Sequence, residues 1–397
     1  VSLPHYAAYK RWAASLSKPF AFLDLNLFHE NIQSIREAAG GKRIRLASKS
    51  LRSVPVLRHI LNSGDPFHGV MCYTGEEALF LAEKGLDDLL VAYPVWNADT
   101  IRAIAVAVKK GVSLTLMVDC KEHVDRIDAI AREEQTVLPL CLDIDLALSL
   151  PGLHFGVYRS PLSSLDAFLA LAEHIRQSHS VQLDGVMGYE AQVAGVGDRT
   201  PGQPMRNGLI RLLKGRSIQR AARRRQEWIA ALRSQGHSLR FVNGGGTGSL
   251  RETAREETVT EVTVGSGFYS PALFDHYRSF RYRPAAGFVL EVTRKPKPGL
   301  YTCAGGGYIA SGTPGPERLP QPTLPKGARL TSLEGAGEVQ TPIRWDGSPE
   351  LELGDPIFFR HAKAGELCEH FPELIVIADG KMVDRYPTYR GEGRCFL

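Results

Sequence analysis

From Pro19 to about Tyr269 the chain alternates short apolar runs with longer amphipathic stretches, a rhythm that fits repeated βα units around a parallel sheet. Strands are predicted at residues 20–24, 43–47, 68–73, 88–93, 112–118, 138–144, 182–187, 239–243 and 261–264. Helices are predicted between them, at residues 27–38, 75–84, 98–110, 122–134 and 163–177, where apolar side chains recur at intervals of three and four. Eight or so such units in roughly 250 residues match a closed (β/α)8 barrel better than an open doubly wound sheet, the structural alternative. After about His276 the texture changes to Gly, Pro and short alternating segments, which predicts a β-domain. The expected division is a barrel over residues 19–275 and a C-terminal β-domain over residues 276–397, with residues 1–18 packed on the second.

Composition narrows the function classes. A length of 397 residues exceeds a typical single core, and 43% hydrophobic with 23% charged residues is an ordinary globular mixture. The net charge of +5 is too small to argue for nucleic acid or a membrane, and no stretch approaches the roughly 20 apolar residues that span a bilayer. Cys72, Cys120, Cys141, Cys303, Cys368 and Cys395 show no C-x-x-C spacing, so a reducing cytoplasm is expected. Residues 206–225 carry Arg206, Arg211, Lys214, Arg216, Arg220, Arg223, Arg224 and Arg225 without stacking aromatics, which reads as the solvated face of an outer helix rather than a nucleic-acid patch.

Two segments carry chemistry. Lys49 ends the run Lys42-Arg43-Ile44-Arg45-Leu46-Ala47-Ser48-Lys49, an amine at the end of a strand. The run Phe241-Val242-Asn243-Gly244-Gly245-Gly246-Thr247-Gly248-Ser249 takes a strand into consecutive glycines closed by hydroxyl residues, and Gly265-Ser266-Gly267 repeats the pattern after the next strand. Such turns let backbone N–H groups and hydroxyls converge on phosphate oxygens at the C-terminal face of a barrel. An early amine and a late phosphate cradle are the parts needed for pyridoxal phosphate, whose aldehyde forms an imine with a lysine. Lys49 must then lose its proton from a reference value of about 10.4, and Arg43, Arg45 and Arg52 are the nearby cations in sequence.

These segments, with Phe22-Leu23-Asp24-Leu25, Gly188-Tyr189-Glu190 and Leu353-Gly354-Asp355 leading to His361, make the chain resemble pyridoxal phosphate enzymes of the alanine racemase fold. Within that fold it is most similar to the D-threonine aldolase and D-serine dehydratase group, over nearly its whole length. The resemblance implies fold type III, Lys49 as the imine lysine, and Gly244, Gly245, Gly246, Thr247, Gly248, Ser266 and Gly267 around the phosphate. It also implies Tyr189 at the pyridine ring and a head-to-tail homodimer with sites near the subunit interface.

Two positions depart from the group. Where it has Arg-x-Gly after the sixth strand this chain has His154-Phe155-Gly156, and His154 is the candidate substitute. Where it has a metal pair of His and, two residues on, Cys or Asp, this chain has His361-Ala362-Lys363. Either Lys363 supplies an ammonium in place of a divalent metal, or His361 binds a metal with Cys368, His370 or Glu366. The expected function is a lyase for D-3-hydroxy amino acids, using Lys49, His361 and Lys363, with retro-aldol cleavage favoured over dehydration. The rivals are an amino-acid racemase using Tyr269, Tyr301 or Tyr308 as second base, and a non-catalytic pyridoxal phosphate protein, against which the β-domain argues.

Overall fold

A computed structural model describes residues 5–397. Eight parallel strands close into a barrel in chain order: Arg43–Ala47, Phe67–Cys72, Leu89–Val91, Leu114–Val118, Leu138–Asp143, Val181–Gly188, Phe241–Gly244 and Glu261–Val264, the last pairing with the first. Strands covered by helices outside and by one another inside have no solvent face. Leu114–Val118 is accordingly buried at every position, an apolar run rather than an alternating one.

The barrel interior is layered. At the N-terminal end Arg45 is fully buried, bonded to Glu261 at 2.7 and 3.1 Å and to Asp88 Oδ1 at 3.1 Å. Above it Leu90, Ala92, Met117, Cys141, Met187 and Phe241 form an apolar plug. Gly185 makes room for that plug, because a Cβ there would fall inside the Phe241 ring. The C-terminal end is left open, where βα loops build sites in such barrels.

The first predicted strand is not a barrel stave. Phe20–Asp24 lies inside a nine-stranded sheet of the second domain, antiparallel to Ala286–Lys297 and parallel to Glu373–Ala378. Its five buried positions explain the misplacement, since a strand covered on both faces reads the same in either sheet. Helix Tyr6–Ala13 packs Tyr9 and Trp12 against Phe20, Phe22 and Phe358 of that sheet. Asp24 then caps helix Leu25–Ala38, accepting from the Asn26 N–H at 2.9 Å and the Leu27 N–H at 3.2 Å. Among the described residues no helix is long and apolar enough to cross a membrane.

The basic stretch lies on helix Pro204–Ser234. Most of its arginines face solvent, but Arg225 is 1% exposed and Lys214 is buried against the Tyr277 ring. Arg225 is held by Glu190 at 2.9 Å, by Glu256 and by the Gly188 carbonyl at 2.9 Å. A solvated face therefore describes most of the stretch but neither Lys214 nor Arg225, the latter meeting two carboxylates inside.

Candidate active site

Lys49 sits in a single 3-10 turn, Ser48–Ser50, immediately beyond the first barrel strand. Its Nζ donates to the Tyr93 hydroxyl at 3.2 Å, and Tyr93 stands two residues past the third strand. Arg159 covers the same tyrosine, 4.9 Å from its ring centre. Burial pushes the Tyr93 phenol up, but the Lys49 and Arg159 cations outweigh it and hold the phenol below its usual value. Arg159 in turn donates to Asp143 Oδ2 at 2.5 Å and to the Ala92 carbonyl at 2.6 Å. Burial lifts the Asp143 carboxyl to about 6, with Arg159 pulling the other way.

Lys49, Ser50, Tyr93, Arg159, Tyr189, Gly245, Gly246, Thr247 and Ser266 line one pocket at the barrel mouth. The two glycine turns are tied together: the Gly267 N–H donates to Thr247 Oγ1 at 3.1 Å, and the Ser50 and Ser266 hydroxyls meet at 3.2 Å. Tyr189 lies against the first turn so closely that a Cβ on Gly246 would come within 2.9 Å of its ring. A Cβ on Gly265 would come within 2.7 Å of the Ala47 carbonyl, so the second turn packs on the strand that carries Lys49. Gly244, Gly248 and Gly267 stand behind the lining in the same turns. Glu190 anchors the first turn, accepting from Ser249 at 2.6 Å and Thr253 at 2.5 Å while paired with Arg225. Burial, reinforced by Glu190 and Tyr93, keeps the Tyr189 phenol well above its usual value and therefore neutral.

The arginines beside Lys49 in sequence are engaged elsewhere. Arg45 is inside the barrel, Arg43 is exposed near Asp88, and Arg52 donates to the Lys49 carbonyl at 2.9 Å and to Glu369 at 2.6 Å. His154 also falls outside the pocket. It lies exposed on the hairpin formed by Leu148–Leu150 and Leu153–Phe155, stacked on Tyr158 at 4.4 Å, while Arg159 reaches the pocket from the loop that follows. Arg159 was not singled out from sequence, because it follows no strand directly and belongs to no periodic pattern.

An outer groove of about 1250 Å³ continues the pocket toward the β-domain, sharing Lys49, Ser50, Tyr189, Thr247 and Ser266 with it. Lys363 lines this groove, donating to Ser311 Oγ at 2.9 Å with Glu366 3.9 Å away. Burial holds the Lys363 amine below its usual value, helped by Arg318, Lys49 and Arg52, with Glu366 opposing. His361 lines neither cavity. It is 4% exposed beside the Tyr269 ring, neither nitrogen makes a well-formed hydrogen bond among the described residues, and burial with Arg360 lowers it to about 3. The candidate co-ligands disperse: Cys368 donates to the Leu51 carbonyl, His370 packs on Tyr308, and Glu366 accepts from Ser311. Tyr269 donates to the Leu51 carbonyl at 3.0 Å and, like Tyr301 and Tyr308, lines neither cavity.

A family model described as alanine racemase, N-terminal domain, matches residues 23–272. The chain belongs to this family. Among solved structures, the alanine racemase-type fold is shared with D-threonine aldolase from Filomicrobium marinum at a TM-score of 0.82, with 19% identity and 97% of each chain covered. It is shared too with D-threo-3-hydroxyaspartate dehydratase from Delftia sp. HT23 at a TM-score of 0.74, with 20% identity over 94% of this chain and 98% of that one. A curated relative, 3-hydroxy-D-aspartate aldolase of Paracoccus denitrificans, is 26% identical over 255 residues, which is 64% of this chain and 60% of the relative's length. Pyridoxal phosphate is the cofactor typical of the alanine racemase family, and the donor set fits it. One pocket gathers an amine, three hydroxyls from Ser50, Thr247 and Ser266, and glycine turns packed too tightly for a side chain.

Proposed function

We propose that this chain is a pyridoxal phosphate-dependent lyase for D-3-hydroxy amino acids, cleaving the Cα–Cβ bond to release glycine and an aldehyde. The observation that carries the reading is the Lys49 amine opening on a pocket of hydroxyls and glycine turns. The substrate class is supported by the names of the curated relative and of the structural neighbours. When bound, pyridoxal phosphate supplies an electron sink for the electrons left on Cα.

The chain's own residues do the rest. Ser50, Thr247, Ser266 and the glycine turns would hold the phosphate, and Tyr189, a neutral phenol, would confine the ring. The Lys49 amine lies 3.2 Å from the Tyr93 hydroxyl, and the cations beside that phenol make it a readier donor of the proton Cα gains on becoming glycine. On the outer side Lys363 faces the groove with its amine held below its usual value, and in this reading it takes the β-hydroxyl proton and afterwards leaves a cation beside the groove. An amine base in that position favours cleavage, which needs the hydroxyl proton removed, over dehydration, which needs hydroxide made into a leaving group.

Incubation with D-threonine and with D-threo-3-hydroxyaspartate tests this. Glycine plus an aldehyde is expected. A keto acid plus ammonia would move the assignment to dehydration, and an inverted isomer alone would make the chain a racemase. The same reading expects two copies head to tail in a reducing cytoplasm. Light scattering at twice the chain mass checks the dimer.

A further inference from the structure

Away from the pocket lining, three side chains of metal-ligand type converge at the end of the fourth barrel strand. Asp119 follows Leu114–Val118 directly, Cys120 takes the N-cap position of helix Lys121–Glu133, and His123 lies in its first turn. A carboxylate oxygen, the thiol sulfur and an imidazole nitrogen all fall within 4.8 Å of one another. Asp119 Oδ1 and His123 Nδ1 are 3.0 Å apart, yet that nitrogen is buried and makes no well-formed hydrogen bond among the described residues. The two groups stand at ion-pair distance, short of a well-formed hydrogen bond. The imidazole is also held in place: Trp96 packs against it with ring centres 6.0 Å apart, and Arg126 lies 4.4 Å over Trp96.

We propose that Asp119, Cys120 and His123 bind one divalent transition-metal ion of the zinc type, with water completing the shell. A sulfur, a nitrogen and an oxygen donor together select zinc-like ions over magnesium or calcium, which prefer oxygen alone. Zinc bonds of about 2.0–2.3 Å draw ligand atoms to within about 4 Å of each other, so side-chain rotation alone closes this cluster. Asp119 is 8% exposed while Cys120 and His123 are half-buried, so water can reach an ion held by the three. The donors are distinct from His361 and from the lining of the pocket, so the site stands whether or not the catalytic reading does.

Zinc chloride titrated calorimetrically into the chelator-stripped full-length chain tests the proposal. One equivalent is expected to bind, Cys120→Ser and His123→Gln each to weaken it at least about tenfold, and Cys395→Ser, an exposed thiol elsewhere, to leave it unchanged. X-ray absorption at the zinc edge on the unmutated, zinc-loaded chain needs no variant to fold. One sulfur at about 2.3 Å with nitrogen and oxygen neighbours is expected. No binding, equal binding by the Cys120 and His123 variants, or a shell without sulfur would overturn it.

Discussion

Arg159 apart, the barrel wall of the pocket draws its residues from strand ends and the turns just beyond them, whereas the facing wall draws them from loops of the β-domain. Lys49 follows Arg43–Ala47 by two residues, Tyr93 follows Leu89–Val91 by two, and Tyr189 directly follows Val181–Gly188. Lys363, Glu366 and Ser311 belong to no strand. Parallel pairing on both sides fixes where a strand ends, and buried ion pairs such as Glu190 with Arg225 fix the turns beyond. Loops carry no such constraint. Under the proposed function, cofactor holding falls to the barrel wall and substrate handling to the β-domain wall.

The largest expected effect breaks the barrel wall. Lys49→Ala removes an exposed side chain, so the fold should persist while turnover drops at least about a thousandfold, as read by aldehyde release against thermal melting. Arg159→Ala should cost about a hundredfold, since it unpairs Asp143 and frees Tyr93. The Asp143 carboxyl, at about 6, gives the same contact a pH signature. Above that value it is charged and holds Arg159; below it the proton takes that charge away, so kcat/KM should fall as pH drops through about 6.

On the other wall the effects are smaller and of two kinds. Lys363→Met should lower kcat about tenfold with melting unchanged, because it removes only a groove amine. His361→Ala should do the reverse, lowering stability by about 2 kcal/mol while the folded fraction keeps its turnover, because it empties a buried site. Loss of turnover without loss of stability in that variant would place His361 among the working groups and erase the contrast.

The last effect concerns a carboxyl buried in helix Gly75–Glu83, away from both walls. Glu77 is buried and accepts from the Tyr73 N–H at 2.8 Å and from the Tyr389 hydroxyl at 2.8 Å. Burial pushes its carboxyl from 4.5 to about 7. The folded chain keeps this proton where the unfolded chain has lost it, so the stability present below about pH 4.5 is lost as pH rises through about 7. Glu77→Gln should match the parent near pH 4 and exceed it above pH 7, by on the order of 2 kcal/mol in denaturant titrations.

How much of this was legible in the sequence follows from which interactions are local. The staves, Lys49 and both glycine turns were readable because a strand end or a glycine run marks its own place. The strand Phe20–Asp24 was assigned to the wrong sheet because pairing partners more than 250 residues away decide it. Tyr93 had the signal of an aromatic at a barrel strand's C-terminal end and went unused. Arg159 carried no such signal, and its role rests on Asp143 and Tyr93 meeting it in space. His361 sits in the expected stretch, but burial that no local pattern reveals separates it from Lys363.

The proposed function stands or falls with Lys49 holding the cofactor. Loading the purified chain with pyridoxal phosphate, reducing it with borohydride and mapping the peptides reads this directly. One pyridoxyl group per chain, on Lys49, is expected. A label on another lysine, or none, would contradict it.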